Sequence, residues 1–206
     1  MNIDDFLEVN VEGYLLNDLE NMANYRICTS SYGELGYPLI VSTIAGMELL
    51  GGLLSHNTFD KNKGDSYFRE YWKNYLGQNT RYRNRENFID IVYQLVRHGI
   101  AHGFIVKPGI LIVKNNPQKH LSYQIENTTK ALIIDAVEFY KDFKDSYCNH
   151  VKSDISNLKQ NMQNRLNEMI CCYQTQSNNL FNNLSSSIQP TQSSISSIKP
   201  VSGIIQ

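Results

Sequence analysis

Residues 38–54 read PLIVSTIAGMELLGGLL, and this stretch decides the class of fold. Apolar residues fall on every side of a helical projection of it rather than along one stripe, as in a helix surrounded by other helices. Pro38 suits a first helical turn, so the helix is expected from Pro38 to His56. The run is a little short for a bilayer span and carries Glu48 near its middle, which favours a bundle core over a membrane. The glycines of its Ala45-Gly46 and Gly51-Gly52 pairs come at some cost in helix propensity. They admit another backbone at close range, either a packing neighbour or a dimer seam.

Helical spacing continues on both sides. Val11, Tyr14, Leu15, Leu19, Met22 and Tyr25 recur at intervals that predict a helix over 11–28, followed by a loop at 30–37. After a polar loop at 57–66, Tyr67, Phe68, Tyr71, Trp72 and Tyr75 mark a short aromatic helix over 67–76, better suited to a core than to stacking bases. Phe88, Ile91, Val92, Leu95 and Val96 trace the buried stripe of a helix over about 86–102, with Gly103 as its stop. FIVK and ILIV flank Pro108-Gly109, so a β-hairpin is expected within about 104–125, with HLSYQI as a further extended piece. From Thr128 to Tyr173 the helical period returns. An unbroken helix there would be on the order of 70 Å long, so it either breaks near Asn149 or ends in a separate coiled-coil-like arm. Beyond Gln174 the composition turns to Ser, Gln, Asn and Thr, too polar to fold alone.

The expectation is therefore a mainly α protein, an up-and-down helical bundle with a small β-hairpin and a long C-terminal helix. Its divisions would be a bundle over 1–149, an extended helix over 150–173 and a disordered tail over 174–206.

The 206 residues carry 19 Lys and Arg against 20 Asp and Glu, a balance that excludes a histone-like polybasic protein. The charge is unevenly placed. Residues 1–60 hold nine acids and one base, residues 61–119 eleven bases and four acids, and the remainder seven of each. A basic middle fits a polyanion-facing surface, an intramolecular match to the acidic start, or two solvated faces. Four cysteines without regular spacing do not make a disulfide framework, and Cys171-Cys172 reads as packing more than redox chemistry. With an acidic opening segment and no signal-like run, the sequence reads as cytoplasmic, with no membrane partner.

The window VRHGIAHGF, residues 96–104, sets Arg97, His98 and His102 at the end of an amphipathic helix inside the basic segment. His98 and His102 are four apart, the spacing of a zinc-protease helix, and His120 is a conceivable third ligand. However, Gly99 stands where that motif needs its glutamate, so no metal and no cofactor are expected. Phosphodiester chemistry is the other reading. Arginine offers a permanent two-pronged donor to phosphate, and histidine can both take and give a proton near neutrality. RNA carries its own nucleophile in the 2′-hydroxyl, so one Arg and one or two His can cleave it without metal. Glu48, the lone charge on the apolar helix, is a candidate partner for Arg97. Arg81, Arg83, Arg85, Lys107 and Lys114, with Lys119, are candidate contacts to an RNA backbone.

Arg97-His98-Gly99-Ile100-Ala101-His102, followed by Gly103, resembles the R-[N/D/H]-x-x-x-H signature of HEPN (higher eukaryotes and prokaryotes nucleotide-binding) domains. The resemblance covers about 11–147 and implies an all-α bundle. It also implies metal-independent endoribonuclease activity in a toxin–antitoxin, abortive-infection or CRISPR-associated role. Arg97 would clamp the scissile phosphate, His102 would act on the 2′-hydroxyl or the leaving 5′-oxygen, and His98 would orient both. A homodimer with two motifs lining one cleft, RNA as substrate and an antitoxin partner follow from the same resemblance. Several domains of this kind bind nucleotides or partners without cleaving, which leaves a non-catalytic interaction module as the alternative.

Overall fold

A computed structural model of the chain describes residues 1–26, 35–103, 107–126 and 129–185. Among these, six helices surround a core and a three-stranded sheet closes one end. Helix α1 runs from Ile3–Phe6 through wider turns at Leu7–Leu16 to Asn17–Asn24. It starts well before Val11 because the Asn2 side chain accepts from the Asp5 backbone N–H at 2.8 Å, an N-cap in front of an acidic first turn. Helix α2 is Gly36–Leu54 and α3 is Gly64–Asn74. Helix α4 comprises Asn87–Ile91, wider turns at Val92–Arg97, and His98–Gly103. Strands β1 (Ile110–Val113), β2 (Ser122–Glu126) and β3 (Thr129–Asp135) follow. Helix α5 is Ala136–Ser146, extended by wider turns at Tyr147–Lys152, and α6 is Ile155–Ser185.

Helix α2 is the centre of the bundle. Leu39, Ile40, Ile44, Met47, Leu50 and Leu53 have no exposed surface, and α1, α3, α5 and α6 all pack against it. Among the described residues it is the one helix long and apolar enough to cross a membrane, and it is mostly buried by its neighbours. The aromatic residues of α3 are core: Tyr67, Phe68, Tyr71 and Trp72 are buried, with Trp72 edge-on to Phe68 and to Tyr82. Of the two glycine pairs, Gly51 shows the closest approach. A Cβ there would stand 2.1 Å from the Tyr67 carbonyl oxygen, so α3 crosses α2 on bare backbone.

The sheet corrects the expected hairpin. Pro108-Gly109 does form a turn, with Gly109 at a φ of 97° that favours glycine. The ILIV strand that follows, however, pairs with β3, in parallel, Ile110 opposite Leu132 and Val113 opposite Asp135. On the other side of β3, β2 runs antiparallel to it, Ser122 opposite Ile133 and Glu126 opposite Thr129, giving the order β1-β3-β2. Residues 104–106 of the expected first arm FIVK lie outside the described residues, as do 27–28 at the end of the expected first helix and 30–34 of the expected loop. Residues 129–135 are strand rather than the first turns of a helix. Ala131–Ile134 is a continuous apolar run, which fits a central strand as well as a buried helix. Asp135 then ends the strand and caps α5, its carboxylate accepting from the Val137 and Glu138 N–H groups at 2.9 and 3.0 Å.

The long period does break, at Ser153-Asp154 between α5 and α6. Helix α6 is not a separate arm over 150–173: Met162, Leu166 and Met169 are core residues. The Asn161 side chain donates to the Leu54 and Ser55 carbonyls at the end of α2, both at 3.1 Å, and Gln163 accepts from the Ile3 N–H at 2.7 Å. The helix also continues through Gln174 to Ser185, so the residues 174–185 expected to be disordered are helical; 186–206 lie outside the described residues. Helix α1 runs against α5 and α6 along a ladder of ion pairs. Glu20 meets Lys144 at 2.8 Å, Glu12 meets Lys152 at 2.8 Å, and Asp4 meets Lys159 at 2.5 Å.

Candidate functional site

Arg97 sits on α4 where the wider turns pass into the last α-helical ones. Such turns are frequent at functional sites, but here they recur in α1 and α5 and so do not single this one out. The Arg97 Nε donates to Glu48 Oε1 at 3.1 Å, with the arginine side chain 30% exposed and the glutamate 18%. Sequence reasoning suggested this pairing because a lone carboxylate on an otherwise apolar helix needs a cation to offset its desolvation. Two further groups bound the carboxylate. Tyr93, four residues before Arg97, directs its hydroxyl to Glu48; burial first, then the negative charge of Glu48, pushes that phenol well above its ordinary value. Gly64 begins α3 so close by that a Cβ would lie 3.3 Å from the Tyr93 hydroxyl and 3.5 Å from Glu48 Oε2. Glu48 thus lies beside the N-terminal turn of α3, an end that favours negative charge.

Among the described residues the guanidinium has its hydrogen-bond partner at Nε alone. His98 is half-buried, its ring edge-on to Tyr93 with centroids 5.1 Å apart, so the ring is oriented by packing. His102 lies in the last described turn of α4, and its side chain lies outside the described residues.

The candidate backbone contacts scatter. Arg81 is bound to Glu138 at 2.9 Å and Asp142 at 3.3 Å. Arg85 donates to the Leu121 carbonyl at 3.1 Å and lies over the Phe88 ring. Lys114 donates to the Met22 and Tyr25 carbonyls at the end of α1, where a cation offsets the helix dipole. Arg83 and Lys107 are exposed, and the Lys107 N–H bonds to the Leu95 carbonyl of α4. Lys107 is thus the candidate tied to the motif helix, while Arg81, Arg85 and Lys114 are committed to internal partners.

A second polar cluster escaped sequence reasoning. At the sheet end of α5, the Asp135 N–H donates to His120 Nδ1 at 3.2 Å, which leaves the imidazole proton on Nε2 in the neutral ring. His120 Nε2 lies 2.9 Å from the Tyr82 hydroxyl, which in turn donates to Asp142 Oδ2 at 3.0 Å. Asn79 donates to the other oxygen of Asp142 at 3.1 Å. The side chains of His120 and Asp142 are 2% and 7% exposed, and burial followed by the Asp142 charge pushes Tyr82 far up. Leu121, buried beside them, holds a left-handed φ of 55°. His120 is therefore engaged in a buried network, not poised as a zinc ligand. Among the described residues no three His, Cys, Asp or Glu side chains converge as a metal site requires. The spacing of Asp135, Glu138 and Asp142 along one face of α5 was the signal that could have revealed the cluster.

Comparison with protein-family models, with curated proteins and with solved structures finds no match to this chain.

Proposed function

We propose that the chain is a metal-independent endoribonuclease whose reacting groups are Arg97 and His102. The observation that carries this reading is the half-open Arg97, braced at Nε by Glu48 and, among the described residues, without a partner at its terminal nitrogens. A guanidinium fixed along one edge loses little further freedom when it grips a phosphate. His102 follows on the same helix, four residues beyond the ring-packed His98. In the proposed reaction the RNA 2′-oxygen attacks phosphorus and the bond to the 5′-oxygen breaks. One imidazole takes the 2′-hydroxyl proton, and another, from a second copy, protonates the leaving oxygen. Arg97 offsets the charge that builds on the phosphoryl oxygens. The products are a 2′,3′-cyclic phosphate and a 5′-hydroxyl. A homodimer, a cytoplasmic setting and a defence or toxin role with an antitoxin belong to the same reading, which rests on the HEPN resemblance.

Purified protein incubated with single-stranded RNA in EDTA should cleave it, and Arg97→Ala and His102→Ala should each abolish cleavage while keeping the helical circular dichroism. Cleavage unchanged in both variants refutes the assignment. Cleavage lost in EDTA points to a metal instead. A second reading, a non-catalytic interaction module, is favoured by the exposed apolar residues Tyr173, Leu180 and Phe181 on α6. Its signature is RNA or partner binding without product in all three proteins.

A further inference from the structure

One side chain serves both described members of the Arg97–His98 pair. Tyr93 stands one turn before Arg97 on α4 and is 7% exposed, its ring packed on the buried Phe68 of α3 with centroids 5.2 Å apart. Its hydroxyl is directed to Glu48, and that hydroxyl and Glu48 Oε2 both come within 3.5 Å of the point where a Cβ on Gly64 would stand. The other oxygen of the same carboxylate, Oε1, accepts from Arg97 Nε at 3.1 Å. The His98 ring meets the Tyr93 ring edge-on, with centroids 5.1 Å apart. The local helix geometry produces this double contact. In an ordinary α-helix the residues that share a face with Tyr93 are three and four positions on, Val96 and Arg97. Through Val92–Arg97 the turns are wider, and the His98 N–H donates to the Tyr93 carbonyl five residues back. The wider turn carries His98 over Tyr93 while Arg97 stays beside the carboxylate that the phenol faces.

We propose that Tyr93 is the positioning residue of this site: its hydroxyl fixes the carboxylate that orients Arg97, and its ring fixes the imidazole of His98. Buried Phe68 behind the ring and the Arg97 ion pair beyond the carboxylate hold the arrangement from both ends. Its catalytic consequence, that guanidinium and imidazole present themselves to RNA in one register, rests on the endoribonuclease reading; the two contacts themselves do not. They are also separable, because phenylalanine keeps the ring and loses the hydroxyl, whereas leucine loses both.

NMR of the isotope-labelled full chain reads each contact without RNA. The Arg97 Nε–H signal, assigned by its loss in Arg97→Lys, should move and exchange faster with water in Tyr93→Phe and in Glu48→Gln, at unchanged helical circular dichroism. The His98 ring-proton signal, assigned by its loss in His98→Asn, should keep its ring-current shift in Tyr93→Phe and lose it in Tyr93→Leu. With single-stranded RNA in EDTA, Tyr93→Phe should lower kcat/KM by about tenfold, the scale of one hydrogen bond to a charged group, and Tyr93→Leu should lower it further. An Arg97 signal unmoved in Tyr93→Phe, or a His98 signal that shifts as far in the phenylalanine variant as in the leucine one, overturns the proposal. A wild-type chain that does not cut RNA overturns the endoribonuclease reading instead, and the split between the two signals still upholds the positioning of Arg97 and His98 by Tyr93.

Discussion

Adjacent glycines on α2 should respond to alanine in opposite directions. At Gly51 a Cβ would fall 2.1 Å from the Tyr67 carbonyl oxygen and 2.7 Å from its carbon. Those are backbone atoms of the first turn of α3, with no rotamer to change. Ordinary contact begins at 3.4 Å, so α3 would have to retreat from α2 by roughly 1 Å, pulling Phe68 and Trp72 with it. Overpacking of this kind costs about 1–3 kcal/mol and more where backbone must move, so we expect the upper end. The gain in helix propensity, about 1 kcal/mol, returns part of it, for a net loss of about 2 kcal/mol. At Gly52 the nearest atom is the Tyr67 ring at 3.4 Å, so the propensity gain stands alone and Gly52→Ala should be neutral or stabilising by up to about 1 kcal/mol. Urea unfolding followed at 222 nm would measure both. Equal midpoints for the two variants, or Gly51→Ala as stable as wild type, would refute the claim that α2 and α3 meet on bare backbone.

Two further outcomes follow from polar contacts. Asp135→Ala removes the cap of α5 and the acceptor of the Asn116 N–H. It should cost about 2–4 kcal/mol in the same urea assay; Asp135→Asn should cost clearly less because its amide oxygen can still cap, and equal losses would contradict the capping role. Glu20 is held at about 2, against an ordinary 4.5, by Lys144 and then by the Tyr140 hydroxyl at 2.6 Å. A carboxyl depressed in the folded state contributes its stability above its unfolded pKa and loses it as pH falls toward the folded one. Because the side chain is 43% exposed, solvent screening limits the contribution to about 0.5–1 kcal/mol. The stability gap between wild type and Glu20→Gln should therefore close as the pH is taken from about 5 to about 2, and a constant gap would exclude the ion pair as its source.

What could be read from sequence was whatever has a local period or a local electrostatic need. Helix α2 is apolar all round, α3 is a cluster of aromatic residues, and Glu48 had to find a cation. The strand β3 was not legible, because Ala131–Ile134 satisfies a buried helix and a central strand alike. What decides between them is pairing with 110–113 and 122–126, in part through a parallel ladder that leaves no local pattern. The buried network failed for the same reason: Asn79, Tyr82, His120 and Asp142 come from separate parts of the chain and meet only once the sheet end is folded. The destination of the charge was also hidden. Much of the acid of the first helix is answered by Lys144, Lys152 and Lys159, while part of the basic middle is neutralised by Glu48, Glu138 and Asp142. The polyanion-facing surface that composition suggested is correspondingly smaller.

The ladder between α1 and the end of the bundle has a consequence for biosynthesis. Its rungs join residues 124, 140 and 155 positions apart, and the Ile3 N–H waits on Gln163, 160 positions away. Of the helices of this fold, α1 is made before α5 and α6 and therefore waits for both to acquire these partners. Until then Leu7, Val11 and Leu19 of α1 have no α5 or α6 to cover them. Contacts of such long separation slow folding, and transiently uncovered apolar surface invites association with other chains. A pause in translation between α5 and α6 would prolong that exposed interval, so binding to a nascent-chain chaperone should peak while α6 is still inside the exit tunnel and fall once Lys159 and Gln163 have emerged.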